Sequence, residues 1–480
     1  MNPRFYDHIE PSIVMEGELV RNGLSIYTPS ADACRISLGF GPSAYLMSSF
    51  FLSILPDPIT AGKLSGILPV FFSLMLMLIV LYRKYSLKAA FLSVIYVIIM
   101  YLPFGHLSFW NRPESSIILG CTLAGTALIS GKRIVTTLLM PLGIAIAVNG
   151  KFTSVFYILP LLAFIFCQNG WRNLIQVTLL SSVIIILPFL LHSSFPAREY
   201  FFWLLNCLNH KFIVAQFFRS LLYAFLFVTP LLVILKEAWV RKSIDDKKSA
   251  IIFFSVLTVS LFLIAIVAAK EGAGSHHLIP FAAITGFLIP VLMKKYRLRY
   301  SEIVQVKLNS GAILLWAAAI FYQCYTGPQS RFVYFLSDSQ EQEIADDLMK
   351  LKNKYSSYSA AMGYTDSKPE NYNNTFFRPL LMDKGSKYFI DAPALMDMAE
   401  AGMSLPCETV NVIRQQKYGI FILPRSGSPF SMTSFYASRY KLFNEEFREA
   451  FFDNYLKTDS SRYFTVYTAK SKLFCHKVPL

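Results

Sequence analysis

The sequence predicts an α-helical polytopic membrane protein of about ten spans, followed by a C-terminal extracytoplasmic α/β domain. The first observation is composition. Of 480 residues, 54% are hydrophobic and only 16% charged, and the mean hydropathy is +0.45. A soluble domain carries about 25% charge. The second is a series of apolar runs at 62–82, 88–104, 114–131, 134–150, 152–168, 174–193, 215–235, 250–269, 278–293 and 309–325. Each approaches the roughly 20 residues that cross a hydrocarbon core. The third is the placing of basic charge in alternate loops.

That placing sets the expected orientation. Arg83, Lys84 and Lys88, then Lys132 and Arg133, then Arg172, then Lys236 to Lys248, then Lys294 to Lys307 fall in one set of loops. The other set is poor in Lys and Arg. Cytoplasmic loops carry the excess, so residues 1–61, the loops near 105–113, 194–214 and 270–277, and the tail are expected outside. The net charge of +15 is then loop charge, and no nucleic-acid partner is expected. A cytosolic enzyme and a disordered scaffold are excluded by the same composition.

Three regions follow: an outer segment 1–61, a helical membrane domain 62–325 and an α/β domain 326–480. In the first, residues 5–29 read as a helix ending at Asn22-Gly23, and 43–55 is too short to span, so an interfacial helix is expected. In the last, 338–355 reads as an amphipathic helix, and 417–424 and 462–470 read as strands. Neither a phosphate loop, a dinucleotide fingerprint, HExxH nor GxSxG is present, and the seven Cys form no CxxC.

Four polar clusters fall on the expected outer side. Asp7 and Glu10 open the first helix, either as acid/base groups or as caps. Arg112-Pro113-Glu114 sits at a span boundary, where a carboxylate is a functional candidate or a helix cap. Lys151 follows Gly150 between two apolar runs, where it either snorkels or binds an anionic head group. The loop at 270–281 carries Lys270, Glu271, His276 and His277, weak as a metal motif and better suited to phosphate. The spans themselves are nearly free of ionisable residues, unlike a transporter with charges at the midplane.

In order and sidedness these pieces resemble the GT-C superfamily of membrane glycosyltransferases, and within it the protein O-mannosyltransferase-like and aminoarabinose-transferase-like branch. The matching residues are Asp7-His8-x-Glu10, Gly23, Tyr27-Thr28-Pro29, Phe40-Gly41-Pro42, Tyr45, Lys63, Arg112-Pro113-Glu114, Gly150-Lys151 and His276 to Pro280. They cover about residues 5–325. His8 stands where many relatives have Glu, and Lys63 where the family usually has Arg. The resemblance also implies a span before the acidic motif, so one is expected upstream of Met1.

The resemblance implies a GT-C-like fold and an inverting glycosyltransferase, transferring a hexosyl or pentosyl group from a polyprenyl-phosphate donor to a lipid, glycan or protein acceptor. Asp7 is then the base with Glu10 as second choice, and Lys151, His276, His277, Lys270 and Arg112 form the pool for the donor phosphate. Glu114 orients the acceptor or holds a divalent metal (Mg or Mn), since relatives differ in needing one. A bacterial inner membrane is the expected location. The alternatives are a lipid-linked saccharide flippase or transporter, and a catalytically inactive GT-C relative.

Overall fold

A computed structural model describes residues 4–36, 39–130, 132–299, 314–322, 339–382, 388–436 and 440–475. The first two helices are short: α1 (Ile9–Arg21) and α2 (Pro42–Ile54). The membrane domain follows as α3 (Pro58–Lys84), α4 (Leu87–Tyr101), α5 (Pro113–Ser130), α6 (Arg133–Val148), α7 (Val155–Leu191), α8 (Ala197–Asn206), α9 (Val214–Val240), α10 (Lys247–Ala268) and α11 (Pro280–Lys295). As expected, α1 stops at Asn22-Gly23, where Gly23 takes φ of 69°, a conformation that costs glycine little.

Six helices among the described residues are long and apolar enough to cross a membrane, where the sequence showed ten apolar runs. The runs at 152–168 and 174–193 are two helical segments that meet at Gly170, whose backbone (φ 76°, ψ 179°) is not helical. The run at 134–150 folds as the 16-residue α6, and that at 114–131 as the 18-residue α5, with Glu114 in its first turn. The run at 309–325 lies mostly outside the described residues. Large apolar side chains stand exposed along the helices, among them Phe72, Leu138, Leu190, Leu191 and Phe218. A soluble surface rarely presents so much contiguous apolar area; lipid covers it. The chain is an integral membrane protein.

Two of the basic loops meet, those after α3 and α11. Lys294 Nζ lies 5.5 Å from the Tyr85 ring and Lys295 Nζ 5.7 Å from Phe164. The loop near 194–214 meets residues 1–61 elsewhere: Ile26 N–H donates to Ser194 O at 3.1 Å, and Trp203 Nε1 to Thr28 O at 2.8 Å.

The C-terminal domain carries α12 (Ser339–Lys354), β1 (Ala360–Met362), α13 (Ala392–Glu400), α14 (Cys407–Arg414), β2 (Ile420–Pro424), α15 (Glu445–Asn454), β3 (Tyr455–Ser460) and β4 (Phe464–Ala469). The sheet runs β1-β2-β4-β3, with β1 parallel to β2 and the rest antiparallel. The expected helix and both expected strands are present. The core of this domain continues into Phe5, Val14, Phe51, Ile59 and Trp203, so it packs on the first three helices. A buried ion pair joins them: Arg378 Nη2 lies 2.9 Å from Asp391 Oδ1, both side chains fully buried. The same nitrogen donates to His8 O at 2.9 Å and Ser12 Oγ at 2.6 Å on the α1 side.

Candidate functional site

Close backbone approaches set the frame. Gly41 N–H donates to Gly150 O at 3.0 Å and Ser43 N–H to Asn149 O at 2.8 Å. A Cβ at position 41 would collide with the Asn149 carbonyl. The Phe-Gly-Pro motif is thus a splice onto the Gly150-Lys151 turn. Likewise a Cβ on Gly66 would strike the Trp110 carbonyl group, and Ser65 Oγ donates to Asn111 Oδ1 at 2.7 Å; α3 therefore fixes the 110–112 loop. Tyr27 reaches across to donate to the Phe40 carbonyl, which ties the second motif to the third.

The acidic motif divides into two unlike groups. Glu10 is 1% exposed. Its Oε2 accepts from Tyr6 N–H at 2.8 Å and Asp7 N–H at 3.1 Å, and its Oε1 from Asn111 N–H at 3.1 Å. It is the cap that fixes the turn carrying Asp7. Burial pushes its carboxyl up to about 7, against the pull of these N–H groups. Asp7 is the more open, with 17% of its side chain exposed. Its Oδ2 lies 3.6 Å from Arg112 Nη1 and accepts from Ile9 N–H at 3.2 Å. His8, the departure from the family pattern, packs against Tyr372 and Phe435 of the C-terminal domain, and burial lowers its basicity.

Arg112 bridges to the second cluster. Its Nε is 3.8 Å from Glu114 Oε2, and its guanidinium lies 4.3 Å from the Trp110 ring, a cation–π contact. Lys151 Nζ donates to Glu114 Oε1 at 2.7 Å, and His277 Nδ1 is 4.0 Å from the same oxygen. The Tyr157 hydroxyl donates to the His277 carbonyl. Four of the five candidate phosphate ligands, Arg112, Lys151, His276 and His277, therefore surround Glu114. Lys270 does not join them. Its Nζ donates to Leu208 O at 2.8 Å and His210 O at 3.0 Å, closing the 208–212 loop against position 270.

Glu114, His276 and His277 offer ligand atoms within 4.8 Å of one another. Glu114 Oε2, His276 Nε2 and His277 Nδ1 are buried without a hydrogen bond, so the residues fit a cation. Two imidazoles with one carboxylate suit Fe, Ni, Cu or Zn better than the expected Mg or Mn, which prefer oxygen ligands.

Trp110, Asn111 and Tyr157 escaped the sequence reading. The first two stand directly before Arg112 and were within view; Tyr157 sits in an apolar run and gives no local signal. Beside α2, α6 and α7 lies an apolar groove of about 370 Å³, lined by Leu46, Leu142, Ile146, Leu187 and Leu191, with Ser43 and Asn149 also in its walls. Asn149 is two residues from Lys151.

No protein-family model matches the chain, and no curated protein matches it. Among solved structures it is similar to ArnT from Cupriavidus metallidurans in the apo state, with a TM-score of 0.55 at 9% sequence identity, over 98% of this chain and 94% of that one. It is also similar to the same protein bound to undecaprenyl phosphate, with a TM-score of 0.54 at 9% identity, over 97% and 94%. The likeness is one of fold and takes in the membrane helices and the C-terminal domain together: the chain is a membrane protein whose fold is like that of ArnT.

Proposed function

We propose that the chain is an inverting glycosyltransferase that moves a sugar from a polyprenyl-phosphate donor to an acceptor at the outer face of the membrane. The observation that carries this reading is the position of Arg112, 3.6 Å from Asp7 and 3.8 Å from Glu114. One guanidinium joins an accessible carboxylate to a cluster of cations. Inverting transfer to an acceptor hydroxyl asks for these two parts, a base on one side of the sugar carbon and positive charge on the other. The solved ArnT structure with undecaprenyl phosphate supports a lipid-phosphate donor. So does the apolar groove walled in part by Asn149, two residues from Lys151, which suits a prenyl chain.

In this reading Asp7 takes the acceptor hydroxyl proton as the acceptor oxygen bonds to the anomeric carbon. The bond from that carbon to the phosphate oxygen breaks, and the electron pair leaves with polyprenyl phosphate. A single displacement inverts the anomeric centre. Arg112 and Lys151 stabilise the charge that grows on the leaving group. Glu114 holds both cations in place, while Glu10 fixes the Asp7 turn. A divalent ion held by Glu114, His276 and His277 would add positive charge near the phosphate. The bacterial inner membrane is the setting this chemistry suits.

Membranes containing the full chain, supplied with a panel of polyprenyl-phosphate sugars and crude acceptor, test the reading through free polyprenyl phosphate measured by mass spectrometry. Release by wild type that Asp7→Asn abolishes at equal expression is the expected result. Silence with every donor would favour a flippase or an inactive relative.

A further inference from the structure

A groove of about 500 Å³ lies between the last turns of α9 and the first turns of α10, and it shares no residue with the Glu114 cluster. Leu235, Trp239, Ile244, Ala250, Ile251 and Val259 are in its lining. On α10 the lining runs from Ala250 to Val259. Such a stretch of helix rises about 14 Å, close to half of the roughly 30 Å hydrocarbon core. The groove is therefore about as long as one leaflet is thick. Ile251 and Val259 are more than half exposed, so it opens sideways, where lipid lies.

One end of the groove is basic. Trp239, 58% exposed, stands in the wall with Lys247 Nζ 5.5 Å from its ring. Tryptophan favours the level of the lipid head groups, and a lysine beside it extends its ammonium toward them. The turn between the two helices adds Lys242 and Lys248, both exposed. Lys242 takes φ of 52° just past a helix C-terminus, a place commonly given to glycine. A cation thus stands where a smaller residue would cost less. Most acids nearby are engaged. Glu237 Oε1 holds Arg241 Nε at 2.6 Å, and Asp246 accepts from Ser249 N–H at 3.0 Å within the field of Lys295. Asp245 is the one other acid between positions 241 and 248, against three lysines.

An apolar slot of one leaflet's length that ends at a tryptophan and three lysines matches a lipid in both its parts. The chain fills the slot, and an anionic head group meets the cations, as basic clusters at a membrane surface attract such lipids. A zwitterionic head group would bring a cation of its own to the lysines.

We infer that this groove holds one acyl chain of an anionic phospholipid, with the phosphate drawn to Lys242, Lys247 and Lys248. The test is native mass spectrometry of the full chain in mixed micelles with equal amounts of phosphatidylglycerol and phosphatidylcholine carrying the same acyl chains. Wild type is compared with the triple variant Lys242→Gln, Lys247→Gln, Lys248→Gln, and with Ile251→Trp, whose ring fills the groove. The expected result is phosphatidylglycerol retained about tenfold over phosphatidylcholine by wild type. That preference should vanish in the triple variant, and the retained phosphatidylglycerol should be missing from Ile251→Trp. The substituted side chains are exposed, and melting temperatures check the folding; should the triple variant unfold, Lys247→Gln alone replaces it. Equal retention of the two lipids by wild type overturns the inference, as does a preference that survives the glutamines or a lipid that stays on Ile251→Trp. Undecaprenyl phosphate that displaces the phosphatidylglycerol at equal concentration would overturn it too, by giving the groove to a polyprenyl lipid.

Discussion

Lys151 Nζ lies 2.7 Å from Glu114 Oε1, with the Lys151 side chain 12% exposed and that of Glu114 1%. Two residues that each close a separate motif are thus one buried ion pair. Removing one member of such a pair leaves an uncompensated charge, typically at a cost of about 3–5 kcal/mol. Lys151→Met is expected to destabilise the chain by that order, and adding Glu114→Gln to recover part of the loss. Thermal unfolding in detergent reads both; equal melting temperatures for all three proteins would contradict the pairing.

Asp7 and Glu10 are expected to separate by assay. General-base removal costs about 10²–10⁴-fold in rate, so Asp7→Asn should lose turnover with an unchanged melting temperature. Glu10→Gln disturbs a buried carboxylate that accepts from three backbone N–H groups, and should lower stability by about 1–3 kcal/mol whatever it does to rate. A fully stable, inactive Glu10→Gln beside an active Asp7→Asn would reverse the assignment.

The share of stability carried by three carboxyls should fall as pH rises toward neutrality. Burial pushes Glu10 to about 7 and Asp397 to about 6. Glu400 is raised to about 7 by burial and then by the neighbouring Glu271. Each keeps its proton to higher pH in the folded chain than in the unfolded one. The folded state therefore binds more protons between the ordinary carboxyl range and about pH 7, and stability is lost across that window. Glu400→Gln removes one such contribution, so its melting temperature at pH 8 relative to pH 5.5 should stand higher than that of wild type; an unchanged difference would contradict the raised carboxyl.

Gly41→Ala tests the splice between the Phe-Gly-Pro motif and the Gly150-Lys151 turn. The added methyl meets the Asn149 carbonyl, and overpacking of this kind costs about 1–3 kcal/mol. The same change at Gly23, where nothing lies within reach of a Cβ, carries only the strain of its positive φ. Comparing the two melting temperatures separates crowding from backbone strain.

The sequence alone determined the helical membrane domain, the short helices α1 and α2, the C-terminal strands and the residue types of the site. Hydropathy, alternation and glycine stops act over a few neighbouring residues, so they are legible along one chain. Tertiary structure decided the rest. It folded the apolar run at 134–150 as the 16-residue α6, a length that hydropathy along the chain does not fix. It made Glu10 a cap and left Asp7 accessible, a choice fixed by Asn111, a hundred residues away. It gathered Arg112, Lys151, His276 and His277 around Glu114 and turned Lys270 onto the Leu208 and His210 carbonyls. It also docked the C-terminal domain on α1 through Arg378 and Asp391. A charge has no direction in sequence; which partner satisfies it depends on the packing that brings distant segments within a few ångströms.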